Sequence, residues 1–248
     1  MPPRHERPVA LVTGAGKRVG ATIARTLHAA GYDLALHCRH AMPETEALAA
    51  ELEHSRAHGT LVLQAELADP QAPATLVDAT LAHFGRLDAL INNASAFFPT
   101  PIGTASVEQW NELFASNARA PFFLAQAATS ALRAARGVIV NLVDIYAERA
   151  LADHPVYCMA KAALAAMTRA LALDLAPEVR VNGVAPGAVL WPNDGKPHDD
   201  RQAMLARTPL QRAGSPADVA GAVLWLLRDA PYVTGQIIRV DGGRTLTV

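Results

Sequence analysis

Short apolar runs alternate along the chain with longer segments whose apolar residues recur every three or four positions. Runs of the first kind are typical of buried strands, and segments of the second kind are typical of amphipathic helices. The predicted strands are Val9–Val12, Asp33–Cys38, Thr60–Ala65, Ala89–Asn92, Gly137–Val143, Val179–Ala185 and Gln236–Val240. Most are continuously apolar, as expected for parallel strands covered on both faces. Strands alternating with helices predict an α/β fold: one doubly wound domain over residues 1–248 with a seven-stranded parallel sheet flanked by helices.

Local signals predict where several helices begin and end. Gly31 ends the first helix, and Ser106-Val-Glu-Gln109 and Ser215-Pro-Ala-Asp218 have the spacing of a capping box at a helix start. A helix is predicted from Tyr157 to Ala176, where Pro177 ends it. The segment Trp191–Arg201 is rich in Pro, Asp and Gly and is interpreted as a mobile loop near a site.

Composition excludes several classes of function. The formal net charge is −1 and no long run of either sign occurs, so neither nucleic acid nor an anionic membrane is an expected partner. The two cysteines, Cys38 and Cys158, form no disulfide framework, and the nine histidines show no metal-ligand spacing, so no metal is expected. With no signal-peptide core and no stretch of about 18 apolar residues, a cytoplasmic protein is predicted.

The first predicted strand runs into the turn Thr13-Gly-Ala-Gly-Lys-Arg-Val-Gly20, which opens a helix. In a strand–turn–helix unit, glycines let the backbone approach a pyrophosphate, and the helix N-terminus supplies unpaired N–H groups. Lys17 and Arg18 lie in this turn, where cations are unfavourable against the helix dipole unless an anion neutralises them. The alternative is two solvated surface cations on a tight turn.

The end of the second predicted strand discriminates between NAD and NADP. A carboxylate there would bind the adenosine ribose of NAD, whereas a basic group would pair with the additional phosphate of NADP. The sequence has His37-Cys-Arg-His40, with no acidic residue before Glu44. Arg39, Lys17 and His40 therefore favour NADPH, the alternative being that Arg39 is an ordinary exposed arginine.

Tyr157 and Lys161 are spaced i, i+4 and share one helix face. An ammonium beside a phenol favours the phenolate, so such a pair can transfer a proton near neutral pH. Taken alone, Y-x-x-x-K is common and usually marks a surface pair.

The motifs together resemble the short-chain dehydrogenase/reductase family over essentially the whole chain. They are Thr13-Gly14, Asn92-Asn-Ala94, Asn117, Tyr157 with Lys161, Pro186-Gly187 and Val240-Asp-Gly-Gly243. The resemblance implies a Rossmann-like fold, commonly a homotetramer, with Tyr157 as proton donor, Lys161 supporting Tyr157 and the nicotinamide ribose, and Asn117 in a proton relay. The expected cofactor-binding residues are Gly14, Lys17, Arg18, Val19, Arg39, His40, Asn93, Ala94, Ser95, Tyr157, Lys161, Pro186 and Gly187.

Two departures from the general family pattern resemble its pteridine reductase branch. Arg18 stands where many members have a glycine, and Asp144 stands where they have a catalytic serine. The segments Asn92–Pro101 and Tyr157–Lys161 carry the same resemblance. It implies reduction of dihydropterins to tetrahydropterins with NADPH.

An aspartate at position 144 suits reduction of a ring C=N bond. An ionised Asp144 beside Tyr157 would raise the pKa of the phenol, so that the pair titrates as a unit that holds and relays a proton. The alternative is that Asp144 only caps a turn after the strand.

The expected substrate-binding residues are Arg18, Ser95, Phe97, Asp144 and Tyr157. Phe97 follows the fourth predicted strand and could stack on a flat, pterin-like heterocycle, whereas the alternative is core packing. His154 and Trp191 could border the site or be packing residues.

Three functions remain open at this point. The leading hypothesis is an NADPH-dependent pteridine reductase acting on a dihydropterin or dihydrofolate-like ring. The second is a carbonyl reductase acting on a ketone or 3-oxoacyl thioester, against which Asp144 and Phe97 count. The third, a non-catalytic NADP-binding module, is disfavoured because Tyr157, Lys161 and Asn117 are all present.

Overall fold

A computed structural model describes residues 7–189 and 198–247. Seven parallel strands form one sheet in the order β3-β2-β1-β4-β5-β6-β7. The strands are β1 (Val9–Val12), β2 (Asp33–Cys38), β3 (Thr60–Gln64), β4 (Ala89–Asn92), β5 (Val138–Leu142), β6 (Arg180–Pro186) and β7 (Ile237–Val240). This confirms the predicted doubly wound parallel sheet.

Helices cover both faces of the sheet. They are α1 (Arg18–Ala29), α2 (Met42–Ser55), α3 (Ala72–Phe84), α4 (Val107–Phe114), α5 (Ala120–Ala135), α6 (Pro155–Asp174), α7 (His198–Ala206) and α8 (Pro216–Arg228). Helices α1, α2 and α8 share one apolar cluster with the sheet, and α3, α5 and α6 share another. The two clusters are the two halves of the core on opposite faces.

The prediction that the strands are covered on both faces is confirmed for the central strands and is wrong for the two edge strands, β3 and β7. All residues of β1, β2, β4 and β5 are buried, whereas those of β3 and β7 are at most half-buried. An edge strand has a neighbour on one side only, so its apolar pattern alone does not reveal this exposure. Predicted strand ends differ from the observed ends by one residue at Ala65, Gly137, Val143, Val179, Pro186 and Gln236.

Both predicted capping boxes are present. Ser106 Oγ accepts from the Gln109 amide and Gln109 Oε1 accepts from the Ser106 amide, and Ser215 and Asp218 make the same exchange. The helix predicted over Tyr157–Ala176 is observed as α6, which begins at Pro155 because proline fits the first helical position.

Two predictions about segments need correction. The loop predicted over Trp191–Arg201 extends too far, because α7 begins at His198, while residues 190–197 lie outside the described part. The statement that no stretch could span a bilayer is too strict, since α6 is long and apolar enough by length and composition. Helix α6 is a core helix packed against β6, however, and core helices pass the same test.

The topology creates a crevice for a ligand at one edge of the sheet. All strands are parallel, so their carboxyl ends lie at the same edge, and the order reverses between β1 and β4. A crevice opens at such a reversal because the connections leaving the two strands go to opposite faces.

Candidate active site

A groove runs along the carboxyl edge of the sheet at this reversal. Three cavities of about 250, 350 and 380 Å³ all touch Gly14 and so form one continuous depression. Most of the predicted cofactor-binding residues line it: Gly14, Lys17, Arg18, Val19, Arg39, His40, Asn93, Ala94, Ser95 and Gly187. Phe97 lines the middle cavity. The sequence motifs, which are far apart in the chain, are thus brought to one place.

The glycine-bearing turn is tied to the segment just after β4 by side chains from both sides. Asn93 Nδ2 donates to the carbonyls of Thr13 (2.8 Å) and Gly14 (3.0 Å), and Thr13 Oγ1 accepts from the amides of Asn93 and Ala94. A Cβ on Gly20 would lie 2.1 Å from the Gly14 carbonyl oxygen, so only glycine lets the helix start close to the turn. The predicted cofactor residue Asn93 therefore has a structural contact of its own with the turn.

His37 is a residue of this site that sequence reasoning did not assign. Its Nδ1 accepts from the Gly14 amide (3.3 Å) and its Nε2 donates to the Ala65 carbonyl (3.1 Å). Burial lowers the pKa of His37, which keeps the ring neutral and its Nδ1 able to accept. The only sequence signal was a histidine inside an otherwise apolar strand.

The start of α1 has the features of an anion-binding helix terminus. Its N-cap, Lys17, makes no side-chain capping bond, and no acidic residue lies in the first turn. Arg18, which stands in place of the usual glycine, has a φ of +52°, in the left-handed region. An exposed arginine held in that strained conformation beside free helix amides fits the phosphates of a dinucleotide.

The basic residues chosen from the sequence have acidic partners. Lys17 Nζ lies 2.7 Å from Glu44 Oε1, and Arg39 contacts both Glu66 and Glu112, the latter at 3.4 Å. These carboxylates come from α2, the end of β3 and α4, so no local pattern pointed to them. His40 lines the same cavity as Lys17 and Arg39.

Asp144 both caps a turn and contacts the predicted proton donor. Its Oδ1 accepts from the Tyr146 amide at 2.9 Å, which starts a 3₁₀ turn over Ile145–Ala147. Its Oδ2 accepts from the Tyr157 hydroxyl at 2.7 Å. Asp144 therefore caps the turn and accepts a hydrogen bond from Tyr157 at the same time.

The electrostatics of the pair favour retention of protons. Burial raises the pKa of Asp144, although its hydrogen bonds from Tyr146 and Tyr157 and the charge of Lys161 act in the opposite direction. Burial and the neighbouring Asp144 raise the pKa of Tyr157 well above its usual range. The direction is the one expected from Asp144, and opposite to the one expected from an ammonium beside the phenol.

Lys161 is buried below the pair rather than bonded to the phenol oxygen. Its Nζ donates to the Leu142 carbonyl at 2.8 Å and lies 5.8 Å from the centroid of the Tyr157 ring. Burial lowers the pKa of Lys161 to about 8. The ammonium is held at the end of β5, facing the same region as Asp144.

Asn117 lies in a π-helical turn, Ala115–Arg119, that joins α4 to α5. It is fully buried, its Nδ2 donates to the carbonyls of Ala96 and Leu113 at 2.9 Å, and its Oδ1 accepts from Ser95 Oγ at 2.6 Å. Single π-helical turns inside α-helices are frequent at functional sites. Ser95 is thereby positioned between Asn117 and the groove.

Phe97 is exposed and forms an aromatic group with two neighbours. Its side chain is 51% exposed, it stacks on His154 at 4.7 Å, and it meets the Tyr157 ring edge-on at 4.8 Å. Core packing is therefore the wrong interpretation of Phe97. His154, which the sequence left undecided, borders the site, whereas Trp191 lies outside the described residues.

Tyr157 and Lys161 are buried side chains of α6, and Pro186 is the last residue of β6, directly before Gly187. Tyr157, Lys161 and Pro186 do not line the three cavities themselves; Tyr157 meets the groove through its contact with Phe97. Among the described residues, no cluster of histidine, cysteine, aspartate or glutamate could hold a metal ion. The chemistry available in this part of the chain is proton transfer beside a dinucleotide-sized groove.

A Rossmann-like sheet with this groove and a Tyr-Lys pair defines a class of oxidoreductases, and the chain belongs to it: the short-chain dehydrogenase/reductase family. A family model described as enoyl-(acyl carrier protein) reductase matches residues 14–245. Members of this family use nicotinamide cofactors.

Three relatives indicate which kinds of reductase the chain is similar to. The chain is 40% identical to pteridine reductase 1 of Leishmania tarentolae, with 97% of each chain covered. It is 36% identical to the putative ketoacyl reductase 2 of the granaticin polyketide synthase of Streptomyces violaceoruber, again with 97% of each covered. A 3-oxoacyl-[acyl-carrier-protein] reductase of Staphylococcus aureus is 31% identical, over 94% of this chain and 96% of that protein.

Proposed function

We propose that the protein is an NADPH-dependent reductase of a dihydropteridine, such as a dihydropterin or a dihydrofolate-like ring, and forms the tetrahydro product. The observation that carries the proposal is the 2.7 Å hydrogen bond from Tyr157 to Asp144 beside the exposed ring of Phe97. The likeness to pteridine reductase 1 supports the same substrate class.

Reduction of a ring C=N bond needs a hydride on carbon and a proton on the adjacent nitrogen. NADPH, when bound, would supply the hydride. Tyr157 would donate the proton to the ring nitrogen, and Asp144, which accepts its hydrogen bond, would relay a replacement proton to it. The positive charge of Lys161 favours the ionised form of Asp144.

The chain's own residues hold the two ligands in order along the groove. Phe97 presents an aromatic face on which a flat heterocycle can stack, and Ser95, fixed by Asn117, can hydrogen-bond the ring. Arg18 and the α1 amides would hold the pyrophosphate. Arg39, Lys17 and His40 would hold the additional phosphate that distinguishes NADPH from NADH.

A second candidate is an NADPH-dependent carbonyl reductase acting on a ketone or 3-oxoacyl thioester. It is favoured by the ketoacyl reductase among the relatives at 36% identity. Against it stands Asp144, because a carboxylate does not polarise a substrate carbonyl as a hydroxyl does.

Oxidation of NADPH by the purified protein separates the two. We expect turnover with 7,8-dihydrobiopterin, little with acetoacetyl thioester, and weaker activity with NADH. Turnover on the thioester alone would overturn the pterin proposal and leave a carbonyl reductase.

Two variants sharpen the experiment. Tyr157→Phe removes the proton donor and should abolish turnover while NADPH still binds. Asp144→Ser restores the hydroxyl of the general family and should reduce pterin turnover by about a hundredfold or more, the usual range for loss of a general acid–base group. Equal pterin rates in Asp144→Ser and wild type would show that the carboxylate has no part in the reaction.

We also propose a cytoplasmic homotetramer that acts on a small molecule. Cys38 and Cys158 are both free thiols, which suits a reducing compartment. The edge strand β7 and exposed aromatic side chains on α4 and α5, including Trp110, Phe122 and Phe123, offer surfaces for association. Light scattering measures the assembly directly.

A further inference from the structure

The groove around Arg39 is less basic than the sequence predicted. Two cations, Lys17 and Arg39, are paired there with three carboxylates, Glu44, Glu66 and Glu112. The formal charge of these five side chains is therefore −1, so the carboxylates offset the two cations on which the additional phosphate would depend.

Two carboxylates, from different parts of the chain, contact different atoms of the Arg39 guanidinium. Glu66, at the end of the neighbouring strand β3, pairs with the Nε side. Glu112, which approaches from α4 on the other side of the cavity, lies 3.4 Å from Nη1. The Nη end is a fork that can bind phosphate through two parallel hydrogen bonds, and Glu112 lies against one of its two nitrogens, Nη1.

We propose that Glu112 is a specificity-determining residue that competes with the additional phosphate of NADPH for Arg39 and so limits the preference for NADPH over NADH. The inference rests on the proposed use of NADPH. Arg39 and Glu112 are both about half exposed, so their ion pair is weak and a phosphate can displace it. After displacement Glu112 remains nearby as an uncompensated negative charge.

The test replaces the carboxylate with its neutral isostere, Glu112→Gln, and measures dissociation constants of NADPH and NADH by equilibrium fluorescence without substrate. At low salt we expect NADPH to bind on the order of three- to tenfold more tightly, because one like charge is removed near the phosphate. NADH lacks that phosphate, so its constant should change less than about twofold by the same electrostatics.

The matched control is Glu178→Gln. Glu178 pairs with Arg133 in an exposed ion pair just before β6, at the opposite edge of the sheet from the groove. Its removal changes the net charge equally and should leave both constants unchanged. The gain in Glu112→Gln should also shrink at high salt, because exposed charges are screened.

Three outcomes overturn the inference. If wild type binds NADPH and Glu112→Gln has the same NADPH dissociation constant, Glu112 does not determine the cofactor preference. That result leaves the proposed function intact. Weaker binding of both cofactors would mean that the Arg39–Glu112 pair closes over the ligand instead of competing with it. Failure of wild type to bind NADPH would instead refute the proposed cofactor, and with it this inference.

Discussion

Individual residues at the site are held in conformations or charge states that are unfavourable for folding. Arg18 has a positive φ that a side chain with a Cβ adopts only at a cost, and Lys161 is a buried ammonium. Both would be replaced easily if stability alone mattered. Residues held at such a cost are typical of sites for binding and chemistry.

Arg18→Gly should stabilise the fold and weaken NADPH binding. Glycine adopts the +52° φ without strain, so we expect the free energy of unfolding to rise by about 0.5 kcal/mol, the strain relieved less the added freedom of the unfolded chain. NADPH affinity should fall about tenfold, as for loss of one charged hydrogen bond. Urea denaturation and a binding titration measure the two effects.

Arg136→Gly is the control for that variant. Arg136 has a φ of +51° at the end of α5, before β5 and therefore at the sheet edge opposite the groove. The same gain in stability is expected without a change in NADPH affinity. Loss of affinity in both variants would mean that the effect of Arg18→Gly does not come from a local contact of Arg18 with the cofactor.

Lys161→Met should be more stable than wild type at neutral pH. The folded pKa of about 8 lies below the ordinary value of 10.5, so folding displaces a proton and wild-type stability rises as the pH increases from 8 to 10.5. At pH 7 we expect the variant to gain about 2 kcal/mol, after allowing for the lost hydrogen bond to Leu142.

The gain should shrink by pH 9.5, because the folded wild type is then neutral at this position while its unfolded chain is still charged. Denaturation at the two pH values measures it. Lys17→Met, at an exposed lysine, serves as the control and should show little pH-dependent difference. A constant difference at both pH values would contradict a lowered pKa for Lys161.

Much of the site was predictable at this scale because its residues follow strands. Thr13, Asn92 and Asp144 come directly after apolar runs, and parallel strands bring their carboxyl ends together. His37 and Glu112 were not predictable as members of the site. The importance of His37 depends on the direction of one ring, and Glu112 reaches Arg39 from a helix 73 residues further along.

At the scale of elements, α4 connects the cofactor groove to the predicted proton relay. Glu112 on its outer side contacts Arg39, while the neighbouring Leu113 carbonyl accepts from Asn117. The helix has only eight residues, so its capping box contributes a large share of its stability.

Ser106→Ala should loosen α4 selectively. Loss of the N-cap removes about 1 kcal/mol, so amide hydrogen exchange in α4 should accelerate about fivefold by local opening. Ser215→Ala makes the same change at the start of α8 and should accelerate exchange there instead. Uniform acceleration over the whole chain in both variants would show that α4 does not open independently.

Element boundaries were predicted well where a chemical signal marks them and poorly elsewhere. The capping boxes at Ser106 and Ser215 gave both helix starts correctly. The π-helical turn at Ala115–Arg119 has no such signal, because it depends on which carbonyls the amides meet after packing. The start of α7 inside a polar segment was missed for the same reason.

Across the whole molecule, the sheet edge at the carboxyl ends of the strands and the edge at their amino ends carry different features. The carboxyl edge carries the groove, while the amino edge carries a buried network in which Asp33 lies 3.2 Å from Arg7 and 3.5 Å from Arg56. Arg56 also donates to the His28 carbonyl. This network joins the chain before β1 to the starts of β2 and β3.

Asp33→Asn should therefore reduce stability without altering the site. It leaves two buried guanidinium groups without that carboxylate, and we expect a loss of about 3 kcal/mol in the free energy of unfolding. NADPH affinity of the folded protein should not change. Asp229→Asn breaks an exposed pair with Arg228 and should cost less than about 0.5 kcal/mol.

The π-helical turn between α4 and α5 also fixes how many residues this part of the chain must contain. Each residue added to or removed from a helix rotates everything after it by about 100°. Helix α4 packs on α6, and α5 packs on α3, so the direction in which each of these helices points its apolar face is fixed. Deleting one residue from 115–119 would turn either Leu113 or Leu124 out of the core. The π-helical turn thus sets the rotation between α4 and α5, so that two helices with different packing partners follow each other without a break.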